Sequence, residues 1–424
     1  MQRISQILVL IGIGTLFFRR GIIKPYSVQP FEFFIILAAL TLLIFFIIHK
    51  EKIGELKSLS EWAKIFLTIV LFGVAGSINA YRIYGIDENI IKGTEINLFY
   101  IFISSLSFLL TYFFAKKEIF KKYISIALLS PLIFSPFLLL PSTADALNLV
   151  SGKTHFQGLT TNPSEFALLC LLALVSLFTF FIEIKGLIKK IILWISITSI
   201  ISLIIWTGSR TAWLSIGISV LFFAIYSSKN RIGLKAKIKH FSLFILCSIT
   251  TVALAFAILP HRGKIMMMDR VFPQITNYNP AFFKLDQIST KDVFYKIKIP
   301  AIKIPYQERA SLWSQAINLS IKHPFLGLGF DYNNSSQQIT QNGKPTSAHN
   351  TLLQSVLIGG IGLLLLFLLI IFKGIKRLYK NKEKDQQWVI LVLFGIVLIS
   401  FFMVGDFLFA LPWMWIPMAL IFAK

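Results

Sequence analysis

Apolar residues along this chain come in runs longer than the stripe of a soluble helix. Residues 31–48, 65–81, 96–115, 123–140, 165–184 and 191–206 each approach the roughly 20 residues that a helix needs to cross a hydrocarbon core of about 30 Å. Followed to residues 388–408 and 411–423, the pattern predicts about twelve transmembrane helices in an all-α, polytopic membrane bundle, a single integral-membrane domain over residues 1–424. The pattern breaks at 261–348, a long polar stretch between the ninth and tenth spans. Within it, residues 305–324 return to helical spacing: Ala310, Trp313, Ala316, Ile317, Ser320 and Ile321 repeat at three and four, with Glu308, Gln315 and Asn318 between them. An amphipathic helix is expected there, ended by Pro324. Gly327-Leu328-Gly329 reads as a turn, and 335–344 is polar enough to be mobile. Earlier in the stretch, residues 266–300 interleave basic and aromatic side chains, as in Phe282-Phe283-Lys284 and Phe294-Tyr295-Lys296. That mixture fits a segment on a lipid surface and equally an irregular solvated loop.

Composition turns this pattern into a membrane assignment. With 56% hydrophobic and 14% charged residues and a mean hydropathy of +0.74, the chain is too apolar to wet a soluble surface. The net charge of +23 is not a nucleic-acid patch, because the basic residues lie in short alternate loops: Lys116, Lys117, Lys121 and Lys122; Lys185, Lys189 and Lys190; Lys229, Arg231, Lys235, Lys237 and Lys239; Lys373, Lys376, Arg377, Lys380, Lys382 and Lys384. The positive-inside rule makes these loops cytoplasmic. Both termini then lie inside, and the loops near 82–95, 142–164, 207–210 and 261–348 lie outside. Arg19, Arg20 and Lys24 dissent from this count. Residues 4–18 resemble a signal-peptide core but are followed by Arg19-Arg20 without a small-x-small cleavage site, so they are read as a retained first helix. Cys170 and Cys247 sit in apolar runs and give neither a disulfide framework nor a zinc site.

Candidate chemistry gathers at three predicted helix starts on the outer face. Asn162-Pro163-Ser164-Glu165 has a capping residue, proline at the first helical position and glutamate three residues after the cap. Thr207-Gly208-Ser209-Arg210 closes one helix with glycine and opens the next with a serine cap, leaving Arg210 in the first turn. Ser347-Ala348-His349-Asn350 is expected to open the tenth span likewise, with His349 in its first turn. Helix N-termini carry partial positive charge and unpaired N–H groups, so three of them near an arginine would bind an anion such as phosphate. The same field would keep His349 neutral and able to accept a proton. Each residue also has a plainer reading: an arginine at a helix end snorkels to headgroups, and a histidine there serves as an interfacial polar group. His49, His155, His240, His261 and His323 are assigned no chemistry.

Trp206-Thr207-Gly208-Ser209-Arg210-Thr211-Ala212, then Arg309 with Trp313, His323-Pro324, Gly327 and Gly329, then His349-Asn350 with Gly360 and Gly362, resemble in order and spacing the signature of the O-antigen ligase and polymerase superfamily. Gly158 with Asn162-Pro163 is similar to a further motif of that family. The resemblance covers roughly residues 155–365. One departure is that Gly359, Gly360 and Gly362 leave the family's glycine register ambiguous. The resemblance implies a ligase-like layout with one long periplasmic loop in the bacterial inner membrane, and transfer of a glycan from undecaprenyl pyrophosphate to an acceptor hydroxyl, without metal or nucleotide cofactor. Arg210 and Arg309 would hold the donor pyrophosphate, and bidentate contacts would stabilise charge on the departing group. His349 would deprotonate the acceptor for inverting attack. Asp406 would pair with an arginine or orient His349, and Asn162, Ser209 and Asn350 would support them.

From the residues alone, no His or Cys cluster has ligand spacing, and besides Asp87-Glu88 the outer loops have no close carboxylate pair, so no metal site is expected. The favoured acceptor is a lipid A-core sugar. A growing lipid-linked glycan, as for a polymerase, and a serine or threonine of a protein remain open. A flippase or other transporter would place charges at mid-helix along a path, whereas here they gather at helix ends, and no internal repeat is apparent. Membrane lipids are the remaining partners expected, and nucleic acid is not one.

Overall fold

The computed structural model describes residues 1–16, 29–85, 88–129, 150–151, 155–156, 163–181, 186–209, 212–213, 216–217, 250, 253–255, 257–258, 306–332, 336, 338–341, 344–380, 395, 411 and 414–423. Their regular elements are helical apart from two antiparallel ladders of two residues per strand. The chain forms two compact units, one of residues 1–16, 21–127 and 305–424 and one of residues 17–20 and 128–304.

The first unit contains α1 (Gln2–Gly14), α2 (Pro30–Ile48), a 3-10 segment (Lys50–Leu59), α3 (Ser60–Tyr84), α4 (Glu88–Ala115), α5 (Glu118–Ala127), α8 (Tyr306–Lys322), the hairpin β3 (Thr340–Gln341) and β4 (Lys344–Pro345), α9 (Thr351–Lys380) and α10 (Trp415–Phe422). The second contains β1 (Val150–Ser151), β2 (His155–Phe156), α6 (Pro163–Phe181) and α7 (Leu187–Thr207). Among the described residues, 30–48, 60–84, 91–115 and 351–377 are long and apolar enough to cross a membrane. Many of their exposed side chains are apolar, Leu43, Ile47, Leu71 and Leu365 among them. Such a face is stable against lipid, where the helix satisfies its own backbone. The inward faces meet in an aromatic cluster, with Phe108 packed against Trp62 and Trp415, and Phe66 against Trp415.

The expected spans at 31–48, 65–81, 96–115, 165–184 and 191–206 correspond to α2, α3, α4, α6 and α7, and the amphipathic helix before Pro324 is α8. The spans at 123–140 and 388–408 lie largely outside the described residues, as do 266–300, Arg19, Arg20, Lys24 and Cys247. The outer loop expected at 82–95 is corrected. Residues 82–84 complete α3, Gly85 turns the chain at φ +86, and Glu88 already begins α4. The polar first turns of α4 hold together because Thr94 meets Ser77 and Tyr81 of α3 at 3.5 and 3.4 Å. In the stretch 335–344, read as polar enough to be mobile, the described residues 336, 339 and 340 are tied to the fold: Ile339 and Ser336 are buried, and the Thr340 N–H donates to Gln315 Oε1 of α8 at 2.9 Å.

One junction fixes the end of the first unit that carries the motifs. Helix α9 is broken at Gly359 (φ −132°) and Gly360 (φ +69°), and the turn after α8 fills the break. Leu328 and Gly329 donate their N–H groups to the Leu357 and Ile358 carbonyls at 2.5 and 2.9 Å, and the Ile361 N–H donates to the Pro324 carbonyl at 2.7 Å. Backbone groups freed inside a membrane helix cost several kcal/mol each if left unpaired, so the break stands only because the turn supplies partners. Helix α3 closes the third side. Its Gly76 has no room for a Cβ against the Ile358 carbonyl and the Gly329 nitrogen, and Gly73 takes the Phe330 ring. The Asn79 amide donates to the Gly327 carbonyl at 2.8 Å. The glycine register left open by the sequence resolves here. Gly360 is the residue that needs a left-handed backbone, while Gly359 and Gly362 make room for Phe72.

Candidate functional site

The chain that leaves this junction at Phe330 reaches His349 through the β3–β4 hairpin. Ser77 Oγ accepts the Phe330 N–H at 3.4 Å, and the next aromatic residue, Tyr332, is 3% exposed. Its hydroxyl accepts the Ala348 N–H at 3.2 Å, across 16 residues of chain. The Thr346 N–H donates to the Ile339 carbonyl at 3.0 Å, which closes the loop behind it.

His349 then lies between Ala348 and the start of α9, and the expectation that it occupies the first turn is corrected. Asn350 is the capping residue: its Oδ1 accepts the N–H groups of Leu352 and Leu353 at 3.0 and 3.2 Å, and α9 begins at Thr351. Serine and asparagine cap about equally well, so the sequence did not choose between Ser347 and Asn350. The Tyr332 bond decides it, by holding Ala348 outside the helix. His349 itself adopts φ +48°, a left-handed backbone rare for a residue other than glycine. Such a conformation costs about 1–3 kcal/mol and persists only where the surroundings over-determine it. Ser347 Oγ lies 3.4 Å from His349 Nδ1. The side chain of His349 is half-buried, while Asn350, Thr351, Gln354 and Ser355 behind it are buried.

The serine cap expected in the second unit is present. Helix α7 ends at Gly208 in the left-handed conformation, φ +66°. Ser209 follows, its Oγ accepting the Ala212 N–H at 3.4 Å and its carbonyl accepting the Trp213 N–H at 3.1 Å. Pro163 is the first residue of α6, with Glu165 in its first turn. Arg210, Asn162 and Asp406 lie outside the described residues. Arg309 lies in the first turn of α8, where only its backbone is described. The site residues that the structure brings together are therefore His349 and Asn350, with Ser209 in its own unit. The part of Tyr332, whose hydroxyl accepts the Ala348 N–H beside His349, was not read from the sequence. A contact 16 residues away through a hairpin leaves no periodicity to read.

Residues 191–368 match the model of a family described as O-antigen ligase. The matched stretch runs from the first turns of α7 into the second half of α9, and so takes in Ser209, α8, the Gly327–Gly329 turn, His349-Asn350 and the break at Gly360. The match supports the placement in the O-antigen ligase and polymerase superfamily that the motifs implied, and indicates a membrane enzyme of glycan transfer. No curated protein matches the chain.

Proposed function

We propose that this member of the O-antigen ligase superfamily is the ligase itself. It transfers O-antigen glycan from undecaprenyl pyrophosphate to a hydroxyl of a lipid A-core sugar, at the periplasmic face of a bacterial inner membrane and with both termini cytoplasmic. The acceptor oxygen attacks the anomeric carbon as the bond to pyrophosphate breaks on the opposite side, so configuration inverts. His349 takes the acceptor proton. Arg210 and Arg309 bind the pyrophosphate and carry the charge that grows on it as it leaves, through paired N–H contacts. Asp406 pairs with an arginine or orients His349. Asn162, Ser209 and Asn350 hold the helix starts, and no metal ion takes part.

The observation that supports this reading best is the backbone of His349. A strained histidine, fixed from both sides directly before a capped helix N-terminus, is the kind of preorganised group that acid–base chemistry uses. The test is gel analysis of lipopolysaccharide from a strain lacking the gene, complemented with wild type or His349→Ala, alongside a blot for lipid-linked glycan. Loss of long chains from lipid A-core, with accumulation of long lipid-linked glycan, supports the ligase. A single repeat unit on lipid A-core makes the protein a polymerase, and unchanged lipopolysaccharide overturns both.

A further inference from the structure

Tyr332 stands at the meeting of the two features that make the first unit unusual. On one side it is two residues from Phe330, whose N–H reaches Ser77 and whose ring fills the space at Gly73. On the other, its hydroxyl takes the N–H of the residue before His349. Its own carbonyl accepts the Ser336 hydroxyl at 2.7 Å, and its side chain is buried. The chain just before Tyr332 is thus anchored at the glycine junction, and the Tyr332 hydroxyl ties the backbone just before His349 to it.

We propose that Tyr332 is a positioning residue for His349. The inference rests on the reading of His349 as the proton acceptor. Two bonds bracket the strained residue, Ala348 N–H to Tyr332 ahead of it and the Asn350 cap behind it. Without the first, the chain from Thr346 to His349 can relax from φ +48° toward the ordinary region, and the imidazole moves with it. Tyr332 acts through the peptide that carries the base, and a displacement of about 1 Å at such a group costs on the order of 10²-fold in rate. Donor affinity is set elsewhere, so kcat falls and KM does not.

The experiment compares wild type, Tyr332→Phe, His349→Asn and, as a control for general loosening, Ser107→Ala, which removes a buried hydroxyl that donates to the Ile103 carbonyl of α4 at 2.7 Å, all as purified full-length protein in detergent. The assay uses undecaprenyl-pyrophosphate-linked glycan extracted from cells as donor and purified lipid A-core as acceptor. Phenylalanine keeps the ring and removes the acceptor of the Ala348 N–H. The expected result for Tyr332→Phe is a kcat lower by about 10- to 100-fold, a donor KM within about twofold of wild type, and a melting temperature close to that of Ser107→Ala, which keeps near wild-type kcat. A Tyr332→Phe kcat within twofold of wild type overturns the inference. Equal losses in Tyr332→Phe and Ser107→Ala also overturn it, because general loosening would then explain both. If Tyr332→Phe does not accumulate, p-aminophenylalanine at this position keeps the ring and a polar para group but accepts poorly, and unchanged kcat there has the same consequence. Full transfer by His349→Asn removes the base reading and this inference with it. Loss in His349→Asn with normal kcat in Tyr332→Phe removes this inference alone.

Discussion

The Ile358 carbonyl accepts the Gly329 N–H at 2.9 Å, and through that bond the turn after α8 completes a helix that its own chain leaves open. The two residues belong to motifs 29 positions apart whose glycines have no evident purpose when read singly. Brought together, they form one object. The break in α9 needs donors and acceptors from outside the helix, and the turn needs bare backbone on α3 and α9 to come close enough to supply them.

Gly360 is where this junction is least forgiving. A Cβ there would meet the Phe325 carbonyl, at a φ of +69° that L side chains rarely adopt. Gly360→Ala should therefore abolish accumulation of folded protein or lower its melting temperature in detergent sharply. Gly14→Ala, at a position with open space around it, should leave the melting temperature unchanged or slightly raised. Equal melting of the two variants would mean that the break does not need glycine.

The Asn79 side chain ties α3 to the same turn. Removing it leaves the buried Gly327 carbonyl short of its donor, and a lost bond of this kind costs about 1–3 kcal/mol. Asn79→Ala should melt several degrees lower by tryptophan fluorescence. Asn79→Asp should be worse, because a carboxylate oxygen would face the carbonyl in place of the N–H. An aspartate variant more stable than the alanine variant would contradict the bond.

The helices were legible in the sequence because each carries its signal locally. Apolar length gave α2, α3 and α4, three- and four-residue spacing gave α8, and in the second unit Thr207-Gly208-Ser209 gave the end of α7 and the serine cap of the turn that follows it. The junction was not legible. Its determinants are contacts between Gly76, Gly329 and Gly360, and a glycine pattern does not say which backbone comes near. The start of α9 was misplaced for a related reason, since two equivalent capping residues three apart were told apart only by the distant Tyr332 hydroxyl. The polar first turns of α4 looked like loop because hydropathy does not register that Ser77 and Tyr81 meet Thr94.

His349 combines a strained backbone with the proposed chemistry, and the two can be separated. Asparagine tolerates the left-handed region far better than alanine. His349→Asn should keep the wild-type melting temperature while transfer falls by about 10²–10⁴-fold, the usual range for a lost general base. His349→Ala should lose both activity and some stability. Transfer by His349→Asn within a few fold of wild type would remove His349 from the chemistry, whatever its backbone.

His323, at the end of α8, gives the first unit a pH dependence of its own. Partial burial holds its imidazole below the ordinary 6.5, and the charge of Lys322 pushes the same way. With the folded value below the unfolded one, the folded state favours the neutral ring. Its contribution is fully present above pH 6.5, and stability falls as pH drops through the lowered folded value. The wild-type melting temperature should therefore decline between pH 7.5 and 5 by more than that of His323→Gln. Parallel curves for the two proteins would assign the decline to other groups.

The proposed pyrophosphate contacts make a sharper demand than positive charge. Arginine presents a planar fork that pairs two N–H groups with two phosphate oxygens, whereas lysine offers a hydrated point charge on a flexible stem. If Arg210 and Arg309 serve the leaving group, Arg210→Lys and Arg309→Lys should each insert and fold normally yet lose about 10- to 1000-fold in kcat, with the fall in kcat larger than any rise in donor KM. An arginine that only anchors its helix end in headgroups would accept lysine with no change, since both side chains snorkel. Measured with the donor and acceptor described above, near wild-type turnover in either lysine variant would return that arginine to a structural role and leave the pyrophosphate to the other.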